Sequence, residues 1–283
     1  MSALCSTFRI ALPAALLAAA VSAQPPQGGR GPGNELTRQA NQFDLDGKGA
    51  EARALFQKAI DTAPTPAAKA NAQRAMAMSW AFEGNCKKTG DYEQMVIDYW
   101  VTREAEEPHN AFYQEGEMAD EAARVCIDVG GLDAAAQWYK KGHDLGIKEP
   151  DPAGDRKLLW DYRWEHAAAR IAARRGNQAE AEKHVATARA DLDKMTDLKA
   201  QQEAFFPYLT GYVALYLGDY QKALADLQKA NQNDVFIQCL LGMTYEKLGE
   251  KDKAMECYKK AYATNGHNPP AAFAKPFARR KLG

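Results

Sequence analysis

The sequence predicts an all-α protein, a solenoid of about six helix hairpins closed by a C-terminal capping helix, and three observations predict it. Glycines at 47, 90, 130, 176, 218 and 249 each follow one helical pattern and precede another. Counted from these glycines, small residues hold fixed offsets: Ala40, Ala123, Ala169, Gly211 and Gly242 stand seven before, and Ala52, Ala135, Ala181, Ala223 and Ala254 five after. Glu83 and Met95 are the misfits. Composition agrees, since 53 of 283 residues are alanine, 46% are hydrophobic and 26% charged, the balance of an ordered helical chain.

The elements follow in order. Arg9 precedes an apolar run from Ile10 to Ala20, and Val21-Ser22-Ala23 offers the small residues a signal peptidase reads, so residues 1–23 are expected to be a signal peptide cleaved before Gln24. The run is short for a membrane span and contains Pro13, which favours cleavage over a permanent anchor. Cys5 lies ahead of the run, away from the position a lipid-modified cysteine would occupy. Residues 24–33, rich in glycine and proline, are expected to be a flexible linker. Residues 34–268 carry the repeats, interrupted by a loop at 147–157 with Pro150 and Pro152, and residues 269–283 read as a capping helix with a basic tail.

The spacing has a physical basis in the helix hairpin. A glycine just past the first helix adopts the left-handed conformation that closes it. Small residues seven before and five after let the two helices approach, while Phe56, Tyr99, Tyr139, Val185, Leu227 and Tyr258, nine after, fill the space beyond.

On these residues the chain resembles the tetratricopeptide repeat family. The match is best at Leu241-Gly242-x2-Tyr245 with Ala254, Tyr258 and Ala261, and nearly as good at Ala40, Phe43, Ala52, Phe56, Ala59 and Pro64. The resemblance implies antiparallel helix pairs stacked into a right-handed α-solenoid whose first helices line a concave face. Glycine intervals of 43, 40, 46, 42 and 31 depart from the family's unit of about 34, so most units are longer. The family's carboxylate clamp is not reproduced: Asn41 fits, but Ala81, Glu117 and Glu121 stand where its partners belong.

Projected onto that concave face, the fourth pair presents Arg163, His166, Arg170 and Arg174, and the fifth Tyr208, Tyr212 and Tyr216. The third pair adds Glu117, Asp120, Glu121 and Asp128. These stripes are the expected site for a peptide or partner helix, with Tyr208 and Tyr212 as anchors and Arg170 conferring salt dependence. The opposing reading is a solvated ionic face with tyrosines used for packing.

Other chemistry is weakly signalled. Asp44-x-Asp46-Gly47-x-Gly49 resembles a calcium loop, but Lys48 occupies a ligand position and the closing glutamate is missing. The histidines at 109, 143, 166, 184 and 267 lack ligand spacing, so no metal and no cofactor is expected. Ser79, the one serine after the leader, lies outside any nucleophile elbow, which argues against an enzyme. A net charge of −1 argues against nucleic acid as the partner.

Cys86, Cys126, Cys239 and Cys257 remain after cleavage, with three connectivities open. Cys86 and Cys126 each stand four residues before a ruler glycine, at equal heights on the first helices of neighbouring pairs, and are expected to form a disulfide, while Cys239 and Cys257 lie at similar height within one pair as the candidate second bridge. Four reduced, buried cysteines are the alternative. The expected function is therefore a non-enzymatic exported scaffold, periplasmic or secreted, that binds a protein or peptide. The alternative is an accessory subunit of a cell-envelope assembly, acting in secretion, outer-membrane biogenesis or polysaccharide export, with a membrane protein as partner.

If the offsets mark close helix contacts, Ala223→Leu or Ala254→Leu should each destabilise the protein by about 1–3 kcal/mol through overpacking, read as a lowered melting temperature.

Overall fold

The computed structural model describes residues 32–283, with side chains from residue 35. The expected signal peptide at 1–23 and linker residues 24–31 lie outside the described residues; Pro32 and Gly33 already belong to the first helix. All fourteen elements among the described residues are helices: α1 (Pro32–Leu45), α2 (Gly49–Asp61), α3 (Pro66–Phe82), α4 (Cys86–Val101), α5 (Pro108–Asp128), α6 (Leu132–Gly146), α7 (Arg156–Arg174), α8 (Gln178–Lys194), α9 (Lys199–Glu203), α10 (Phe206–Leu217), α11 (Tyr220–Leu227), α12 (Val235–Lys247), α13 (Lys251–Tyr262) and α14 (Pro269–Leu282). None is long and apolar enough to cross a membrane.

Side chains at the helix starts explain several boundaries. Thr65, Asn85, Asn177, Asp219 and Asn268 each accept a hydrogen bond from a backbone N–H of the first turn they precede, and Pro66 and Pro269 follow where a missing N–H costs nothing. The helices pair as α1/α2, α3/α4, α5/α6, α7/α8, α10/α11 and α12/α13, and successive pairs stack into a solenoid. The short α9, which the glycine spacing does not announce, bridges α8 to α10.

One ruler glycine requires correction. The turn of the second pair is made by Gly84, with φ of +69°, whereas Gly90 lies inside α4 beneath the Trp138 ring. Recounted from Gly84, the offsets fall on Ala77 seven before and Thr89 five after, both fully buried, so Glu83 is no misfit in the close contact: it follows α3 and pairs with Arg53 at 2.7 Å. The contacts behind the spacing are direct in the later pairs. A Cβ on Gly211 would lie 2.7 Å from Leu227, and one on Gly242 2.4 Å from the Tyr258 ring, which joins the position seven before each turn to the position nine after it.

In the second pair the position nine after is Glu93, where the other pairs place Phe56, Tyr139, Val185, Leu227 and Tyr258. Glu93 is 0% exposed and neither carboxylate oxygen has a hydrogen-bond partner. Burial, reinforced by the negative charge of Glu121, drives its carboxyl well above the usual carboxylate range despite the attraction of Arg74. Arg74 is committed to Glu121, which turns away from the basic stripe of α7 toward α3.

The cysteines also revise the spacing argument. Cys86 and Cys126 form a disulfide, but Cys86 opens α4, the second helix of its pair, and meets the last turn of α5. Cys239 and Cys257 are free, buried thiols, so the second bridge is absent. Cys239 packs toward α14, where its thiol donates to the Ala274 carbonyl at 3.7 Å, while Cys257 joins a cluster with Leu240 and Leu241. Similar height along a hairpin does not make side chains face each other.

The α6–α7 connection is held rather than free. Glu149 receives Arg156 at 2.9 Å and lies 3.1 Å from His109, and Asp155 accepts the backbone N–H groups of Thr196 and Leu198. The backbone bonds keep Asp155 below its ordinary range although its burial opposes this.

Replacing a buried, unsatisfied carboxyl with an apolar side chain of similar size should stabilise the fold. Glu93→Met is expected to gain about 1–3 kcal/mol near neutral pH. Because the folded-state carboxyl is raised, the wild type loses stability as pH rises above the unfolded value; the Tm advantage of the variant should therefore grow from pH 5 to pH 8.

Candidate partner-binding surface

The side on which the stripes meet is fixed by α14. This helix packs on α3, α5, α12 and α13, and its side chains reach the end of α1, so the first helices of the pairs face a common interior. On α7, residues at helical spacings of three and four bring Arg163, His166, Arg170 and Arg174 onto that side, opposite Tyr208, Tyr212 and Tyr216 of α10.

Six of these residues form one connected ladder, and Arg163 stands apart from it against α5. Arg170 donates to the hydroxyls of Tyr139 at 2.9 Å and Tyr208 at 3.1 Å, and its Nε reaches the His166 carbonyl at 3.3 Å. Arg174 donates to Tyr216 at 3.0 Å and Tyr212 at 3.4 Å. Arg163 pairs with Glu117 at 2.5 Å and lies over the rings of Trp160 and Tyr113. His166 tilts against Tyr208 at 5.2 Å, and Tyr212 against Tyr216 at 4.5 Å.

Depth divides the seven residues in two. Tyr212 is 0% exposed, Arg170 6% and His166 8%, which places them inside the protein. The expectation of Tyr212 as a ligand anchor and of Arg170 as a screened surface charge does not fit that burial, because neither group meets solvent enough to wait for a partner. Arg163, Arg174, Tyr208 and Tyr216 are half-buried and form the rim.

The interior is unusually charged for its depth. Arg170 is held by neutral hydroxyls and a carbonyl rather than by a carboxylate, and Arg124 on α5 makes no ion pair among the described residues. Burial pushes the carboxyls of Asp120 and Asp128 up to about 7, with nearby arginines pulling against it. Burial likewise lowers His166 well below its ordinary value, and the charges of Arg170 and Arg124 add to the effect, so its imidazole is neutral at pH 7. Glu117 stays below the usual range because Arg163 and the Tyr113 hydroxyl outweigh its burial.

Sequence reasoning left Arg124 and Tyr113 out of the site and read Tyr139 as packing alone. Arg124 was legible, being four residues after Asp120 and four before Asp128 on the same stripe. Tyr139 lies on the second helix α6, which a projection of first helices alone omits. Asp44 and Asp46 are engaged elsewhere: Asp44 binds Ser79 and His267, and Asp46 accepts from Gln42.

Against this geometry, the last complete pair matches a known family. Residues 237–268, spanning most of α12 and all of α13, fit the model of the tetratricopeptide repeat. Tetratricopeptide repeats generally act as protein–protein interaction scaffolds. The TPR repeat-containing protein MJ0940 of Methanocaldococcus jannaschii is 35% identical over 86 residues, 30% of this chain; the match spans 27% of that relative's length. Among solved structures, a tetratricopeptide repeat protein from Parabacteroides merdae is 14% identical with a TM-score of 0.39, over 88% of this chain and 97% of that one. Nearly identical TPR-like repeats from Podosopora anserina give 15% identity and a TM-score of 0.40, over 81% and 92%.

Tyr212→Ala should cost about 3 kcal/mol or more, as removal of a fully buried aromatic ring does, and Tyr216→Ala less than half as much. Thermal unfolding of the two variants checks the division between interior and rim.

Proposed function

We propose that the protein is a non-enzymatic scaffold of an exported compartment that binds a protein or peptide at the concave rim of α7 and α10. The observation that carries this reading is the half-buried group of Arg163, Arg174, Tyr208 and Tyr216, each already oriented by a hydrogen bond: Arg163 donates to Glu117 and Tyr113, Arg174 to Tyr216, and Tyr208 accepts from Arg170. Oriented arginines and tyrosines are the residue types that dominate interface energies, since they supply area and forked donors at low entropic cost. The scaffold role common to tetratricopeptide repeats supports the reading. Export is supported by the Cys86–Cys126 disulfide, a bond kept in oxidising compartments, together with the leader-like sequence at 1–23.

The test is affinity capture from an envelope extract with the wild type and an Arg174→Glu/Tyr216→Ala variant, followed by mass spectrometry. A partner retained by the wild type should fall at least about ten-fold on the variant, the loss of roughly 1.4 kcal/mol that one interface residue can carry. Equal capture by a variant with an unchanged Tm would refute the rim as the binding surface.

A further inference from the structure

The C-terminal helix does more than a cap requires. A cap covers the last apolar face of the solenoid, and α14 does so on α12 and α13. It also crosses to the opposite end of the chain. Ala271 and Ala272 pack with Leu45, Ala77, Met78, Ala81, Phe82 and Val125. His267, just ahead of the N-cap Asn268, stacks on Phe82 at 5.3 Å and shares a 2.8 Å hydrogen bond with Asp44. In its last turn, Arg279 donates to the Leu45 carbonyl at 2.8 Å and lies over Gly47, where a Cβ would leave it no room.

The surface beneath α14 has its own chemistry. Leu45 ends α1, so its carbonyl lacks an intrahelical partner and sits at the negative end of the helix dipole. Asp44 is buried, with one oxygen taken by the Ser79 hydroxyl and the other facing His267. Without α14, both acceptors lose their donors and the apolar cluster beside them is uncovered. This surface suits an amphipathic helix with a stripe of small residues, a donor just before its start and a cation in its last turn.

The fit of α14 is incomplete. A half-open cleft of about 420 Å³ runs along one flank of the helix, lined by Phe82, Val125, Asp128, Val129, Phe273 and Pro276. A partner's helix therefore has access to one flank of the seam while α14 is in place.

We propose that α14 is a displaceable, intramolecular occupant of the concave face, and that the surface it covers on α1, α3 and α5 receives a partner's amphipathic, basic-ended helix of the same chemistry. The proposal rests on the reading of the concave face as the partner surface, and it adds a second seat and the means by which the chain keeps that seat closed.

The test uses full-length protein and a fluorescent synthetic peptide of residues 264–283. In the wild type the tethered helix competes at an effective concentration on the order of millimolar. The His267→Ala/Arg279→Ala variant should therefore bind the peptide at least about ten-fold more tightly than the wild type, with chase by unlabelled peptide and no binding of a scrambled one. Hydrogen exchange at 269–282 should accelerate in the variant while α12 and α13 keep their protection. Unchanged protection of 269–282, or no peptide binding once that segment is exposed, overturns the proposal. If the variant does not fold, native-state exchange of the wild type decides: α14 must open while α12 and α13 stay protected, and exchange of α14 only with global unfolding rejects displacement. Capture through Arg174 and Tyr216 is scored separately, so a fixed α14 leaves the rim reading standing and loss of the rim leaves this seat to be judged on the peptide.

Discussion

Contact between the first and last helices turns this row of hairpins into a closed body. In an open solenoid each unit touches only its neighbours, and stability is close to a sum of local terms. Here the His267–Asp44 and Arg279–Leu45 bonds join positions 223 and 234 residues apart, and Ala271 and Ala272 complete an apolar cluster begun by α1 and α3. The depth of the concave side thereby becomes an interior, and the groups that reach into it are subject to the rules of burial rather than those of a surface.

That conversion accounts for the chemistry of the stripes. A basic stripe beside a tyrosine stripe would be an ordinary wet groove in an open array. Inside a closed one, the arginines must find acceptors, and the hydroxyls of Tyr139, Tyr208, Tyr212 and Tyr216 provide them. The same low-dielectric setting raises Asp120 and Asp128 and keeps His166 neutral. The rim residues of α7 and α10 remain half-open, which is why partner binding is assigned to them and not to the ladder as a whole.

The helix pairs were legible in the sequence because close approach imposes a spacing that small residues cannot hide, as Gly211 against Leu227 and Gly242 against Tyr258 demonstrate. Gly90 misled because the ruler used glycine without its context; Gly84 is followed at once by the N-cap Asn85, and that pairing marks the true turn. The Cys86–Cys126 pair was named from equal heights on two first helices, whereas the bond joins the start of a second helix to the end of a first. The stripes of the candidate site were legible for the same reason as the pairs, since helical spacing alone sets which side chains share a face. Their depth was not. It depends on the accumulated curvature of six pairs and on where α14 comes to rest, and no local pattern encodes either.

Ring closure is tested most directly by a distance across it. Spin labels placed at Asp46 and Arg280, both exposed and flanking the Leu45–Arg279 contact, should give a short, narrow distribution in pulsed dipolar measurements on the full-length protein. A long or broad distribution in the folded wild type would mean that the ends do not meet, and the account of a closed, α14-filled interior would be wrong.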